Sequence, residues 1–180
     1  SERIGDRDVD WFTQDLIWEG DAEIAPDGQR SADRLTAMKV AKGGVGDVVQ
    51  WVPLKANTTY TFSVWLWAPK PKTINLSLKH HWGVAPVVAR QFYLTEKPVQ
   101  YAITGTTGLA GMYDIDVGRT SYEENPISFG EEQGDFFYAW GAQLEEGEKI
   151  TSYAPNEQIN SDSVRIWKPW LLVANFLMIM

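Results

Sequence analysis

Thr59-Tyr60-Thr61-Phe62-Ser63-Val64-Trp65-Leu66-Trp67-Ala68 is the stretch that decides the fold class. Tyr60, Phe62, Val64 and Leu66 fall on one face of an extended chain, and Thr61, Ser63, Trp65 and Trp67 on the other. A period of two built from β-branched and aromatic residues is the signature of a strand. Ala68-Pro69-Lys70-Pro71-Lys72 ends it, because neither proline can donate to a ladder. The next segment, 73–81, alternates again, with Ile74, Leu76 and Leu78 opposed to Asn75, Ser77 and Lys79. Residues 32–40, 48–52, 87–94, 99–106, 112–117 and 135–144 read as further strands, and Ala25-Pro26-Asp27-Gly28 as a β-turn. Residues 1–35 otherwise read as irregular, and 118–135 as a long polar loop. Many short strands without an amphipathic helix predict an all-β chain folded as a two-sheet antiparallel β-sandwich, a jelly roll.

Composition narrows the function classes. The chain has 180 residues, enough for one full-sized domain, predicted over 1–159. It carries 9 Trp, 7 Tyr and 7 Phe, residues with an apolar body that serve cores, interfaces and sugar platforms. The net charge of −8 would be repelled by a phosphate backbone or an anionic bilayer, so neither nucleic acid nor such a membrane surface is an expected partner. With no cysteine there is neither a disulfide nor a thiolate metal site, which fits a cytosolic folding route. The first residues, Ser1-Glu2-Arg3-Ile4-Gly5-Asp6, lack the apolar core of a signal peptide.

Residues 160–180 differ in character and read as an apolar C-terminal extension. Trp167, Trp170, Leu171, Leu172, Val173, Phe176, Leu177, Met178, Ile179 and Met180 cannot all stay wet in a soluble monomer. The uncharged run from Pro169 is shorter than the ~20 residues a spanning helix needs, so a membrane span is not expected. The extension either folds back on the sandwich or buries itself between chains or in a partner, and Trp167, Trp170, Leu171, Leu172, Phe176, Leu177 and Ile179 are its expected anchors, favouring the second.

Trp140-Gly141-Ala142-Gln143-Leu144-Glu145-Glu146-Gly147, followed by Thr151-Ser152-Tyr153-Ala154-Pro155, resembles the closing motif of a domain found in phage tail-fibre and head-fibre proteins, itself similar to carbohydrate-binding-module jelly rolls. The blocks 25–35 and 57–66 resemble the early turn, first strand and central strand of that family, and 101–106 is a fourth match; together they span roughly residues 15–155. Gly141 would let the last strand bulge, Ala142 and Leu144 would return to the core, and Tyr153 would pin the departing chain. The resemblance implies a virion structural protein, as a fibre, spike or decoration component. It would be homo-oligomeric, with a trimer by analogy with fibres, mounted on other virion proteins and adhesive to surface glycan. The rival reading is a soluble carbohydrate-binding module that recognises a polysaccharide.

The residues that could carry chemistry are few. His80 and His81 are the only histidines, and adjacent strand positions point to opposite faces. There is no nucleophile-elbow, zinc-binding or phosphate-loop pattern, so the expectation is a binding protein and not an enzyme. A carboxylate pair for glycoside hydrolysis stays open among 24 acidic residues. For sugar, the expected platform is Trp65 and Trp67 on one strand face with His81 and Trp82 on the next segment, since flat rings stack on a pyranose C–H face. The alternative is that Trp65 and Trp67 pack against a neighbouring subunit or under the 118–135 loop. Jelly rolls of this kind often carry structural calcium. Asp21, Glu23 and Glu145 would suit that hard cation, although a surface carboxylate is the plainer role for each, and no metal site is assigned.

Overall fold

The computed structural model describes residues 11–38, 46–83, 85–118 and 129–153. These form ten strands and no helix: β1 (Trp11–Gln14), β2 (Leu16–Ile24), β3 (Arg30–Ala37), β4 (Asp47–Leu54), β5 (Thr59–Trp67), β6 (Lys72–His80), β7 (Pro86–Leu94), β8 (Val99–Thr106), β9 (Gly111–Gly118) and β10 (Phe136–Glu146). They make two five-stranded sheets, here A (β1-β4-β9-β6-β7) and B (β2-β3-β10-β5-β8), in which every pairing is antiparallel. Among the described residues no helix is long and apolar enough to cross a membrane.

The two sheets close on the faces that the alternation marks. Tyr60, Phe62, Val64 and Leu66 of β5 meet Ile74, Leu76 and Leu78 of β6 in one buried cluster, with Ile115 and Val117 of β9, Val48 and Val52 of β4, and Phe137, Ala142 and Leu144 of β10. Full burial of each large apolar side chain contributes about 1.5–3 kcal/mol, so this interlayer holds the sandwich together. Consecutive strands β5 and β6 lie in different sheets. The proline-bearing link between them therefore carries the chain across the sandwich and is not a hairpin.

The amino-terminal part corrects the expectation of irregular chain, because residues 11–24 are strands β1 and β2. The break between them is one residue, Asp15, at φ 55°. Aspartate is among the few side chains that tolerate this left-handed region, and the kink there takes the chain from sheet A to sheet B within one peptide unit. A second left-handed aspartate, Asp21 at φ 53°, falls where the β2–β3 register shifts. These two interruptions destroy the period of two that would otherwise have marked a strand. The turn at Ala25-Pro26-Asp27-Gly28 forms as read, with the Gly28 amide donating to the Ala25 carbonyl at 2.9 Å and Gly28 at φ 84°.

The end of the expected 118–135 loop belongs to the core. Phe129 is fully buried, edge-on to Phe137 at 4.8 Å, and its amide donates to the Thr73 carbonyl. At the closing motif β10 bulges between Trp140 and Gln143, with Gly141 at φ 63°. The bulge turns Ala142 and Leu144 inward, and Tyr153 lies edge-on to Trp140 at 4.3 Å. The C-terminal anchors Trp167, Trp170, Leu171, Leu172, Phe176, Leu177 and Ile179 lie outside the described residues.

Candidate functional site

Each sheet has an outer face, and the two faces are unlike. On sheet B, Trp67 stacks on Tyr138 with ring centroids 5.4 Å apart. Trp140, opposite Trp65 in the register, donates its indole N–H to Ser31 Oγ at 3.1 Å. Ala25 from the turn and Ala32 from β3 complete a second buried cluster, with Trp65, Tyr138 and Tyr153 packed against it. Residues 151–153 are drawn over this face: Glu145 accepts from the Thr151 amide and hydroxyl, and Gln143 Nε2 donates to the Thr151 carbonyl. Trp67 is left 5% exposed and cannot present a ring to a ligand. Among the described residues, Ala25 of the turn shares its buried cluster and Tyr153 packs against that cluster.

The expected platform of Trp65, Trp67, His81 and Trp82 is therefore split. Trp65 and Trp67 stand on sheet B, while His81 and Trp82 follow β6 in sheet A. The calcium candidates are apart too: Asp21 and Glu23 lie on β2, whereas Glu145 is engaged with Thr151. Among the described residues no group of three or more His, Asp or Glu side chains could hold a metal ion.

Sheet A exposes what sheet B covers. Trp51 on β4 pairs across to Asp114 on β9, which pairs with Lys79 on β6, so these three share the outer face. The next row on that face is Phe12, Val49, Asp116, Ser77 and Ala89, and the one after it includes Asp47, Gly118, Asn75 and Gln91. His81 is two residues beyond Lys79 and its amide donates to the Met112 carbonyl, which keeps it in the sheet.

An unbroken aromatic row crosses this face. Phe12 and Trp51 are 4.7 Å apart, Trp51 and His81 4.8 Å, and His81 and Trp82 4.6 Å, centroid to centroid. Phe12, Trp51 and Trp82 are 50%, 44% and 81% exposed. The row starts on β1, takes Trp51 from β4 and ends in the segment that follows β6, and its three ring-to-ring steps make it at most about 14 Å long. His81 is held in it by donating from Nδ1 to Asp114 Oδ1 at 2.6 Å. Beside the row, Ser77 Oγ donates to Asp116 at 2.8 Å.

Asp116 is the perturbed group of the face. Burial pushes its pKa up to about 6; Asp47 and Asp114 push the same way, while the Ser77 hydrogen bond and Lys79 oppose them. Its unfolded value is about 3.9, so the folded protein binds the extra proton and stability should decline as pH rises from about 4 through about 6. The decline is at most about 3 kcal/mol by linkage. Asp116→Asn should flatten that part of the profile, measured by urea unfolding across the window; an unchanged slope would show that another group titrates there.

Phe12, Trp51, Asp114 and Asp116 were not singled out from the sequence. In 48–52 both strand phases are mostly apolar, so nothing marks Trp51 as outward until β4 is paired with β9.

Sandwiches of similar outline occur among solved structures. A CBM4 carbohydrate-binding module superimposes with TM-score 0.58 at 16% identity, covering 81% of this chain and 95% of that one. The fold is that of the carbohydrate-binding-module jelly rolls. The N-terminal cellulose-binding domain of Cellulomonas fimi β-1,4-glucanase C superimposes with TM-score 0.53 at 15% identity, covering 83% of this chain and all of that one. The enzymatically active domain of tailspike protein 4 of bacteriophage CBA120 gives 0.51 at 9% identity, over 76% of this chain and 19% of the tailspike. No family model and no curated protein sequence matches the chain.

Proposed function

We propose that this protein is a non-catalytic glycan-binding module that lays a linear glycan across the outer face of sheet A. The observation that carries the reading is the exposed row Phe12–Trp51–His81–Trp82. An exposed run of rings is costly to keep in water and has the shape to stack on successive pyranose C–H faces. Asn75, Gln91, Ser77 and Asp116 share the face and offer hydrogen-bond partners to hydroxyls. The fold agrees, since neighbours of the same fold include TmCBM61, solved in complex with β-1,4-galactotriose. Ser77 donates to Asp116 and not to His81, so the His81–Asp114 pair activates no hydroxyl there.

The test is titration calorimetry with linear β-linked oligosaccharides. Trp51→Ala or Trp82→Ala should weaken binding about ten-fold or more, the scale of losing one well-stacked aromatic anchor. Undiminished affinity in both variants would overturn the reading.

A second reading concerns where the module is carried. A phage particle, as a fibre, spike or decoration component, is supported by the closing motif 140–147 and by the tailspike likeness. Homo-oligomerisation through the 160–180 extension belongs to that reading. Antibody labelling of particles tests it, and absence of label on intact virions would remove it.

A further inference from the structure

We infer that the aspartates flanking the aromatic row rank glycans by charge, so that this face prefers a hexosamine chain with free amino groups over its neutral equivalent and rejects chains bearing uronate or sulfate. The inference rests on the glycan reading above and specifies its ligand.

The aspartates make no site by themselves; the rings beside them do, and the charges lie next to those rings in the register. Asp114 opposes Trp51 directly in the register, and Asp116 opposes Val49, the residue between Trp51 and Asp47 on the same face. Asp47, Asp114 and Asp116 thus line the row from β4 and β9, while Lys79 on β6 is the cation acting on Asp116. Asp114 is 8% exposed and spends one oxygen on His81; Asp116 accepts from Ser77. Burial first, and like charge from Asp47 and Asp114 in addition, hold the Asp116 pKa near 6 against the Ser77 hydrogen bond and Lys79. A further carboxylate or sulfate laid on the row would add to that repulsion, whereas an ammonium would relieve it. The chain's net charge of −8 acts in the same direction at longer range.

The experiment compares three β-linked oligosaccharides of equal length: glucosamine with free amines, its N-acetylated form, and glucuronate. The free-amine chain should bind about two- to five-fold more tightly than the neutral one at low salt, the scale of an exposed ion pair. High salt should shrink that ratio, and glucuronate should bind more weakly than the neutral chain. The ratio should grow as pH rises through about 6, where Asp116 ionises among Asp47, Asp114, Ser77 and Lys79, for as long as the amines stay protonated. In Asp116→Asn and Asp114→Asn, which keep an oxygen for Ser77 or His81, the ratio should fall towards one. Because the readout is a ratio, a general weakening of the face cancels. Equal affinity for the amine and neutral chains would overturn this inference and leave the glycan reading standing. An amine preference that survives Trp51→Ala would overturn it as well, by assigning the effect to the acidic surface at large. Failure of all three chains to bind would overturn the glycan reading and the ranking with it.

Discussion

Trp67→Ala is expected to remove about 3–5 kcal/mol of stability while the folded protein retains its glycan affinity on sheet A. The loss is large because the indole is 5% exposed although it points away from the main core. It stacks on Tyr138 and belongs to a buried cluster with Ala25, Ala32 and Trp140. Truncation leaves a cavity among Tyr138, Trp140, Ala25 and Ala32, and the 25–28 turn cannot collapse into it without giving up its own hydrogen bonds. Domains of this size are stable by about 5–15 kcal/mol, so the variant should melt well below the parent and show a lower urea midpoint. Ligand titration below its melting temperature separates the two faces. A small stability loss together with lost binding would reverse the assignment, making sheet B the ligand face and Trp67 its platform.

That distinction shows where sequence reasoning stops. The strand pattern of 59–67 and 72–80 was legible because one phase of each is almost purely apolar, and Tyr60, Phe62, Val64, Leu66, Ile74, Leu76 and Leu78 all enter the main core, although the outward Thr61, Ser63, Trp67, Thr73 and Ser77 are buried as well. The closing motif was legible too, since a glycine followed by Ala142 and Leu144 reads as a bulge that returns both to the core, and the structure bulges there with Gly141 at φ 63°. The partner of each outward face was not legible. Trp65 and Trp67 alternate as an exposed pair would, and it takes the three-dimensional path of the chain to bring Ala25 of the turn and Tyr153 to their cluster. Trp51, by contrast, sits among valines and shows no outward signal until the register places it opposite Asp114. Local periodicity states which residues share a side of a strand. Which side finds cover depends on segments far away in the chain, as the contact between Trp140 and Ser31 illustrates. Strand membership of residues 11–24 was lost for a different reason, because two left-handed aspartates interrupt the phase.

Asp135→Ala is expected to be as damaging as the loss of Trp67, for an electrostatic reason. Lys72 begins β6 in sheet A, and Asp135 immediately precedes β10 in sheet B, so their ion pair ties the sheets together at one end of the sandwich. The side chains are 4% and 10% exposed. Asp135 also accepts from the Gly130 amide at 2.9 Å, which holds the turn that delivers Phe129 to the core. Removing the carboxylate strands a buried ammonium and orphans that amide, at about 3–5 kcal/mol for breaking one side of a buried pair. Replacing both partners, as Lys72→Met with Asp135→Leu, should recover much of the loss, since an apolar pair of similar volume carries no desolvation cost. Burial draws the Lys72 pKa down to about 8, and loss of the carboxylate beside it should draw it lower. Parent and variant alike then gain stability as pH rises from about 8 to about 10.4, but the variant begins that rise at lower pH, so its deficit should shrink as pH climbs from neutral towards 8. Chemical unfolding of the single and double variants from neutral to alkaline pH measures both effects. A single variant as stable as the parent, or one whose deficit is the same at every pH, would show that the pair is solvated in solution and that Phe129 is held by packing alone.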